Sequence, residues 1–210
     1  MTTASAAVVE ASPLFPMHLL HEPWTVITDL VLAVEACVFG LLLLRISRHQ
    51  GTTHWARMML SLSLTALLGA ATHALSPSAS LQPFLWLATM LSLPLIALWL
   101  GQALLVFLKR SAWSHVVHAK FACFVILCLS KRDFLYGILD YGSVTVVWLA
   151  VAVSTGQRTL LMGLLLTIVA AVIQQVGIGV SESFNHNDLY HLVQMIALYF
   201  VYRGVVINNK

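Results

Sequence analysis

The chain has 210 residues, of which 60% are hydrophobic and only 9% charged, with a mean hydropathy of +0.89 and a net charge of +3. This composition excludes an ordinary soluble domain. The basic residues lie in short stretches between apolar runs, so no nucleic-acid partner is expected, and the length holds six or seven spanning helices of about 20 residues with no separate soluble domain.

Residues 1–23 read as an N-terminal tail and interfacial segment. The first twelve residues carry no Lys or Arg, which argues against a cleaved signal peptide. Residues 13–24 are amphipathic and punctuated by proline, a pattern suited to the membrane interface. Apolar runs then predict helices at about 24–45, 55–75, 83–108, 114–130, 134–153, 159–180 and 187–206, with a short tail at 207–210. Pro94 is expected to kink the third helix. Lys120 interrupts the fourth, leaving a short apolar core. The three cysteines, Cys37, Cys123 and Cys128, fall inside apolar runs and read as small buried hydrophobes.

Charge selects the topology. With seven spans and the N-terminus outside, Arg45, Arg48, Arg57, Lys109, Arg110, Lys120, Arg158, Arg203 and Lys210 face the cytoplasm, leaving Lys131 and Arg132 outside. The expected fold is therefore an all-α polytopic membrane protein: a seven-helix bundle, N-terminus outside and C-terminus cytoplasmic. The compact loops suggest a bacterial inner or plasma membrane.

That topology gathers polar groups at the outer end. The stretch Ser183-Phe184-Asn185-His186-Asn187-Asp188-Leu189-Tyr190-His191 opens the seventh helix, and titratable groups at the edge of hydrocarbon are costly unless they pair, bind a metal or face a cavity. Asp188 and His191 are three apart and share a helix face, which Gln194 continues inward. His186 can join them only from the preceding loop. His73 ends the second helix, Glu22, Thr28 and Asp29 begin the first, Asp140 and Tyr141 lie in the first turns of the fifth, and Glu182 closes the loop before the seventh. His18 and His21 lie near the same mouth. An imidazole and carboxylate set of this kind suits Zn²⁺ or a similar divalent ion, with the candidate ligands His73, His186, Asp188 and His191. Asp140 and Asp29 are the candidate general bases, and Glu22 and Gln194 the supporting or structural groups. Each residue also has a structural reading. Asp188 can serve the helix N-terminus, His73 and His191 can be interfacial, and Asp29 and Asp140 can bind neighbouring donors. Trp24, Trp55, Trp86 and Trp113 read as interfacial belt residues, and Gly69 and Gly163 as sites of close helix packing.

Three segments carry a family resemblance. Glu22-Pro23-Trp24-Thr25-Val26-Ile27-Thr28-Asp29-Leu30 resembles the first-helix motif of the CREST superfamily, which includes alkaline ceramidases and the progestin and adipoQ receptors. Thr72-His73-Ala74-Leu75 is similar to the second-helix histidine motif, and Asp188-Leu189-Tyr190-His191-Leu192-Val193 to the end of the seventh-helix His-x-x-x-His motif. The resemblance implies a seven-helix fold and a zinc site on the second and seventh helices, where metal-bound water hydrolyses a lipid amide. His73 and His191 match its histidine ligands and Glu22 its first-helix acid. The chain departs from the pattern at Asn187, where the first histidine of the pair would stand, at Gly69 in place of a serine, and at the start of the third helix, where Gln82 is the nearest polar residue.

The leading expectation is thus a metal-dependent membrane hydrolase acting on a lipid amide or ester. The alternative is a non-enzymatic membrane sensor or receptor whose polar pocket binds a small ligand. Haem-based electron transfer, a retinal protein and a transporter are less favoured. The histidines cluster at one end, no lysine lies within the seventh helix, and no broken repeated helices are evident.

Overall fold

The computed structural model describes residues 20–76, 78–181 and 183–208. The tail before residue 20 with His18, and also Glu182 and Lys210, lies outside the described residues. Seven α-helices follow in order: α1 (Pro23–Ile46), α2 (Gln50–Ala74), α3 (Gln82–Phe107), α4 (Ser114–Lys131), α5 (Phe134–Ser154), α6 (Arg158–Val176) and α7 (His186–Asn208). A single 3₁₀ turn, Ser111–Trp113, precedes α4, and there is no strand among the described residues. Six helices, all except α2, are long and apolar enough to cross a membrane. Their outward faces carry Val31, Val34, Ile126, Val153, Val172 and Ile196, as lipid contact requires. The chain has the makeup of a multi-pass integral membrane protein.

The helix boundaries follow local chemistry. Pro23 sits in the first turn of α1, where its missing N–H costs nothing. Asp133 precedes α5 and accepts a hydrogen bond from the Leu135 amide at 2.8 Å. Expectation and structure differ at two ends. Helix α2 begins at Gln50, a turn earlier than hydropathy alone indicated. Helix α6 ends at Val176 instead of running to 180, because Gly177 takes the left-handed conformation (φ 76°) and donates its N–H to Ile173 O.

Helix α2 is the least apolar because it lies inside. It packs along α1 and α3, and its buried hydroxyls are satisfied by those neighbours. Ser63 Oγ donates to Ala33 O at 2.8 Å, Thr65 Oγ1 to Ser92 Oγ at 2.8 Å, and Thr72 meets Thr89 at 3.3 Å. Helices α6 and α7 approach closely. A Cβ at Gly163 would lie 2.6 Å from Val201 N, so that position accepts only glycine without moving a helix. Trp148, Met59, Leu32 and Leu198 are almost fully buried and hold the centre.

Helix α4 stands at the margin, with Cys128 its single buried residue, and packs on α3 and α5. It runs unbroken through Lys120, whose Nζ pairs with the buried Asp140 carboxylate on α5 and also donates to Asp140 O at 2.9 Å. Lys120 is therefore a paired charge within the bundle, not one of the loop charges that orient the chain. Removing one member leaves the other unpartnered, whereas removing both does not. Lys120→Met should therefore lower unfolding free energy by about 2–3 kcal/mol, less than a fully buried pair would because Lys120 is partly exposed. The double variant Lys120→Met/Asp140→Leu should return to within about 1 kcal/mol of wild type, as read by denaturation in mild detergent.

Candidate functional site

A cavity of about 320 Å³ opens between α1, α2, α3, α5, α6 and α7. Its polar end is built from the residues the sequence brought to one end of the bundle: Asp29, His73, His186, Asn187, Tyr190 and His191. The remainder is apolar, lined by side chains such as Leu62, Leu93, Leu164 and Val201.

Helix α7 supplies the centre of the site. His191 is 7% exposed, and both of its ring nitrogens are engaged: Nδ1 lies 2.9 Å from Thr28 Oγ1 and Nε2 lies 3.2 Å from Asp29 Oδ1. A neutral imidazole donates through one nitrogen and accepts through the other. With Asp29 ionised, the carboxylate can only accept, so Nε2 would carry the proton and Nδ1 would accept from the Thr28 hydroxyl, which also lies 3.1 Å from Thr25 O. Asp29 Oδ2 is buried and makes no hydrogen bond. It fits because position 69 is glycine: a Cβ there would lie 2.9 Å from that oxygen.

A second pair stands beside the first. His73 Nδ1 lies 3.0 Å from Glu22 Oε2, and the chain before α1 is clamped to the end of α2 by Glu22 N donating to His73 O at 3.2 Å. The hydrogen bond from His73 holds the Glu22 carboxyl below its usual range, against the opposing effect of burial. Asp29, Asp188 and His73 are close enough to act on one another electrostatically.

Asp188 is fully buried and shares the face of His191, as their spacing required. One of its oxygens, Oδ2, accepts the Asn185 amide at 2.8 Å, while Asn185 Oδ1 accepts the Asn187 amide at 2.8 Å. This reciprocal arrangement is a capping box at the start of α7. Asp188 Oδ1 is left buried without a hydrogen bond. His186 is the first residue of α7, not part of the loop, and it reaches the cavity with Asn187, whose Oδ1 accepts from Gln174 Nε2 at 2.7 Å. Gln194 also lines the cavity, with Nε2 3.5 Å from Thr167 Oγ1.

Two expected roles do not meet at the cavity. Asp140 is turned toward α4 and Lys120 and does not line it, whereas Tyr141 and Thr145 of the same helix do. Among the described residues no three His, Cys, Asp or Glu side chains form a group that would hold an ion. Both nitrogens of His191 already have partners, and Asp188 serves the helix start.

The structure gives parts to residues that sequence reading placed at this end without a role. Thr28 Oγ1 stands against the His191 ring, and Tyr141 and Tyr190 both line the cavity, the Tyr141 hydroxyl buried without a hydrogen bond. Trp55, read as an interfacial belt residue, is only 5% exposed and packs on Trp148, with ring centroids 5.1 Å apart.

A helical membrane bundle enclosing an amphipathic cavity with carboxylate and imidazole pairs at one end defines the class. A family of unknown function, DUF6962, matches residues 24–210, and the chain belongs to that family. No curated protein and no solved structure matches the chain.

Proposed function

We propose that this protein is a seven-span membrane hydrolase that cleaves an amide or ester bond in an acyl-chain lipid, within the divergent reach of the CREST superfamily. The observation that carries this reading is the shape of the cavity, whose long apolar trench ends at an Asp29–His191 pair with one carboxylate oxygen free. A lipid tail fills the trench, and its polar linkage comes to rest against the pair.

The chemistry follows from the atoms present. The Asp29 carboxylate takes a proton from water, and the water oxygen adds to the substrate carbonyl carbon. The tetrahedral adduct then collapses, breaking its bond to the leaving amine or alcohol, which receives the proton that Asp29 accepted. His191 holds Asp29 in place and shares its charge, and Thr28 sets the orientation of His191. Tyr141 and Tyr190 line the same cavity and offer neutral hydroxyl donors to the developing oxyanion.

The orientation belongs to the same proposal. Helix α2 has 25 residues and so reaches about 37 Å, enough to span although its polar content is high. With the N-terminus outside, Arg45, Arg48, Arg57, Lys109, Arg110, Arg158 and Arg203 gather at the cytoplasmic end against Lys131 and Arg132 outside. The site then faces the outer leaflet.

The test is incubation of the purified full chain in proteoliposomes with N-acyl and O-acyl lipids, following released fatty acid by mass spectrometry alongside metal content. Catalytic release supports the hydrolase. Stoichiometric lipid retention without release moves the protein to the sensor class, which the internally satisfied His191 and His73 pairs would suit. Stoichiometric zinc that disappears in His73→Ala/His191→Ala would return the imidazoles to a metal-centred mechanism.

A further inference from the structure

The large cavity ends at Trp55. This one side chain lines both that cavity and a second one, of about 190 Å³, at the opposite end of the bundle. The second cavity lies among His49 and Gly51 before and within the first turn of α2, Gln157 before α6, and Asn208 at the end of α7. The indole of Trp55 rests against Trp148, with the two rings tilted by 51°. Trp148 is 2% exposed and pinned, because its Nε1 donates to Leu100 O at 3.1 Å, and Phe107 closes its other side at 5.5 Å. The partition between the cavities is thus a fixed indole and, leaning on it, a second indole that faces both spaces.

The wall above Trp55 is suited to hydrocarbon. The hydroxyls of the threonines that line it are engaged within the protein: Thr65 Oγ1 lies 2.9 Å from Ser61 O and 2.8 Å from Ser92 Oγ, Thr145 donates to Tyr141 O at 2.9 Å and Thr167 to Gly163 O at 3.1 Å. Trp55 lies 18 residues (73 − 55) before His73 on α2, so the distance from the polar end to the partition is about 27 Å along the helix.

We propose that Trp55 sets the length of acyl chain the protein accepts: the methyl end of the chain stops against its indole, and removing the indole adds the second cavity to the first. This rests on reading the large cavity as the seat of an acyl lipid.

The experiment measures competition of saturated N-acyl ethanolamides of graded length against labelled palmitoyl ethanolamide, with the full chain in lipid nanodiscs. In the wild type each added methylene that meets apolar wall should tighten binding about fourfold, until the chain reaches Trp55 and the gain stops. In Trp55→Ala the gain should continue past that point, so that a chain two methylenes longer than the wild-type limit binds the variant about fifteenfold more tightly than it binds wild type. Leu62→Phe, which fills the trench above the indole and leaves the partition intact, should move the limit to shorter chains. Trp55→Phe, which shortens the partition but keeps a ring against Trp148, should move the limit to longer chains by a smaller step, and it tests the role of Trp55 where Trp55→Ala does not fold. An unchanged limit in the folded variants overturns the role of Trp55 while leaving the lipid site standing. A wild type that binds no member of the series at any length overturns the lipid reading, and the chain-length role with it.

Discussion

Asp29→Asn should reduce hydrolysis by about 10³-fold, within the range expected for loss of a positioned general base. The substitution keeps the shape and leaves an oxygen to accept from His191 Nε2, so the ring stays in place. What disappears is the basic carboxylate of the cavity wall, one of whose oxygens is buried and without a hydrogen bond. Stability should move the other way. Asp29 is buried within electrostatic reach of Asp188, and relieving that repulsion and the burial of a charge should leave the melting temperature unchanged or higher. A collapse of turnover with undiminished stability is the signature of a group retained for chemistry. If Asp29→Asn keeps wild-type turnover, the base assignment is wrong, whatever happens to stability. His191→Ala is the less discriminating variant, because it also opens a void and deprives Thr28 and Asp29 of their partner.

How much of this was legible follows from what helical spacing encodes. Periodicity states which residues share a face of one helix, and there it served well. Asp188, His191 and Gln194 do lie buried on one face of α7, and His191 and Gln194 line one cavity with Asp29, His73 and His186, whereas Asp188 serves the helix start and does not line it. Periodicity does not state which neighbour a face will meet. Asp140 lies in the second turn of α5, within the first turns as expected, yet the rotation of the helix gives Tyr141 and Thr145 to the cavity and Asp140 to Lys120. Lys120 was counted as a loop charge because a lysine in a short apolar run looks like an interruption, and the partner that neutralises it lies 20 residues away. Trp55 looked interfacial because a tryptophan near basic residues at a helix end commonly is. Its burial depends on Trp148, on another helix. The dual nature of Asp188 was legible: its place three residues after Asn185 is the spacing of a capping box.

Gly69 joins sequence to site most directly, and its replacement should produce the second large effect. The resemblance to the CREST motif places a serine there, and glycine reads from sequence as a packing residue. In the structure its missing Cβ is the space that Asp29 Oδ2 occupies, and an alanine methyl would stand 2.9 Å from that oxygen, inside van der Waals contact. Something must move. The Asp29 carboxylate is the mobile partner, and what holds it is the 3.2 Å contact of Oδ1 with His191 Nε2. Gly69→Ala should therefore break the Asp29–His191 pair, cost about 1–3 kcal/mol of stability through overpacking, and lower turnover by about 10²-fold, as a misplacement near 1 Å does. A double-mutant cycle separates this from a general packing defect. With Asp29→Ala in the background the added methyl meets empty space, so Gly69→Ala should cost less than about 0.5 kcal/mol, and the coupling energy should equal most of the single-mutant loss. Equal costs in both backgrounds would mean that the clash lies elsewhere in the α1–α2 interface and that glycine at 69 serves the packing of helices, not the placement of the carboxylate.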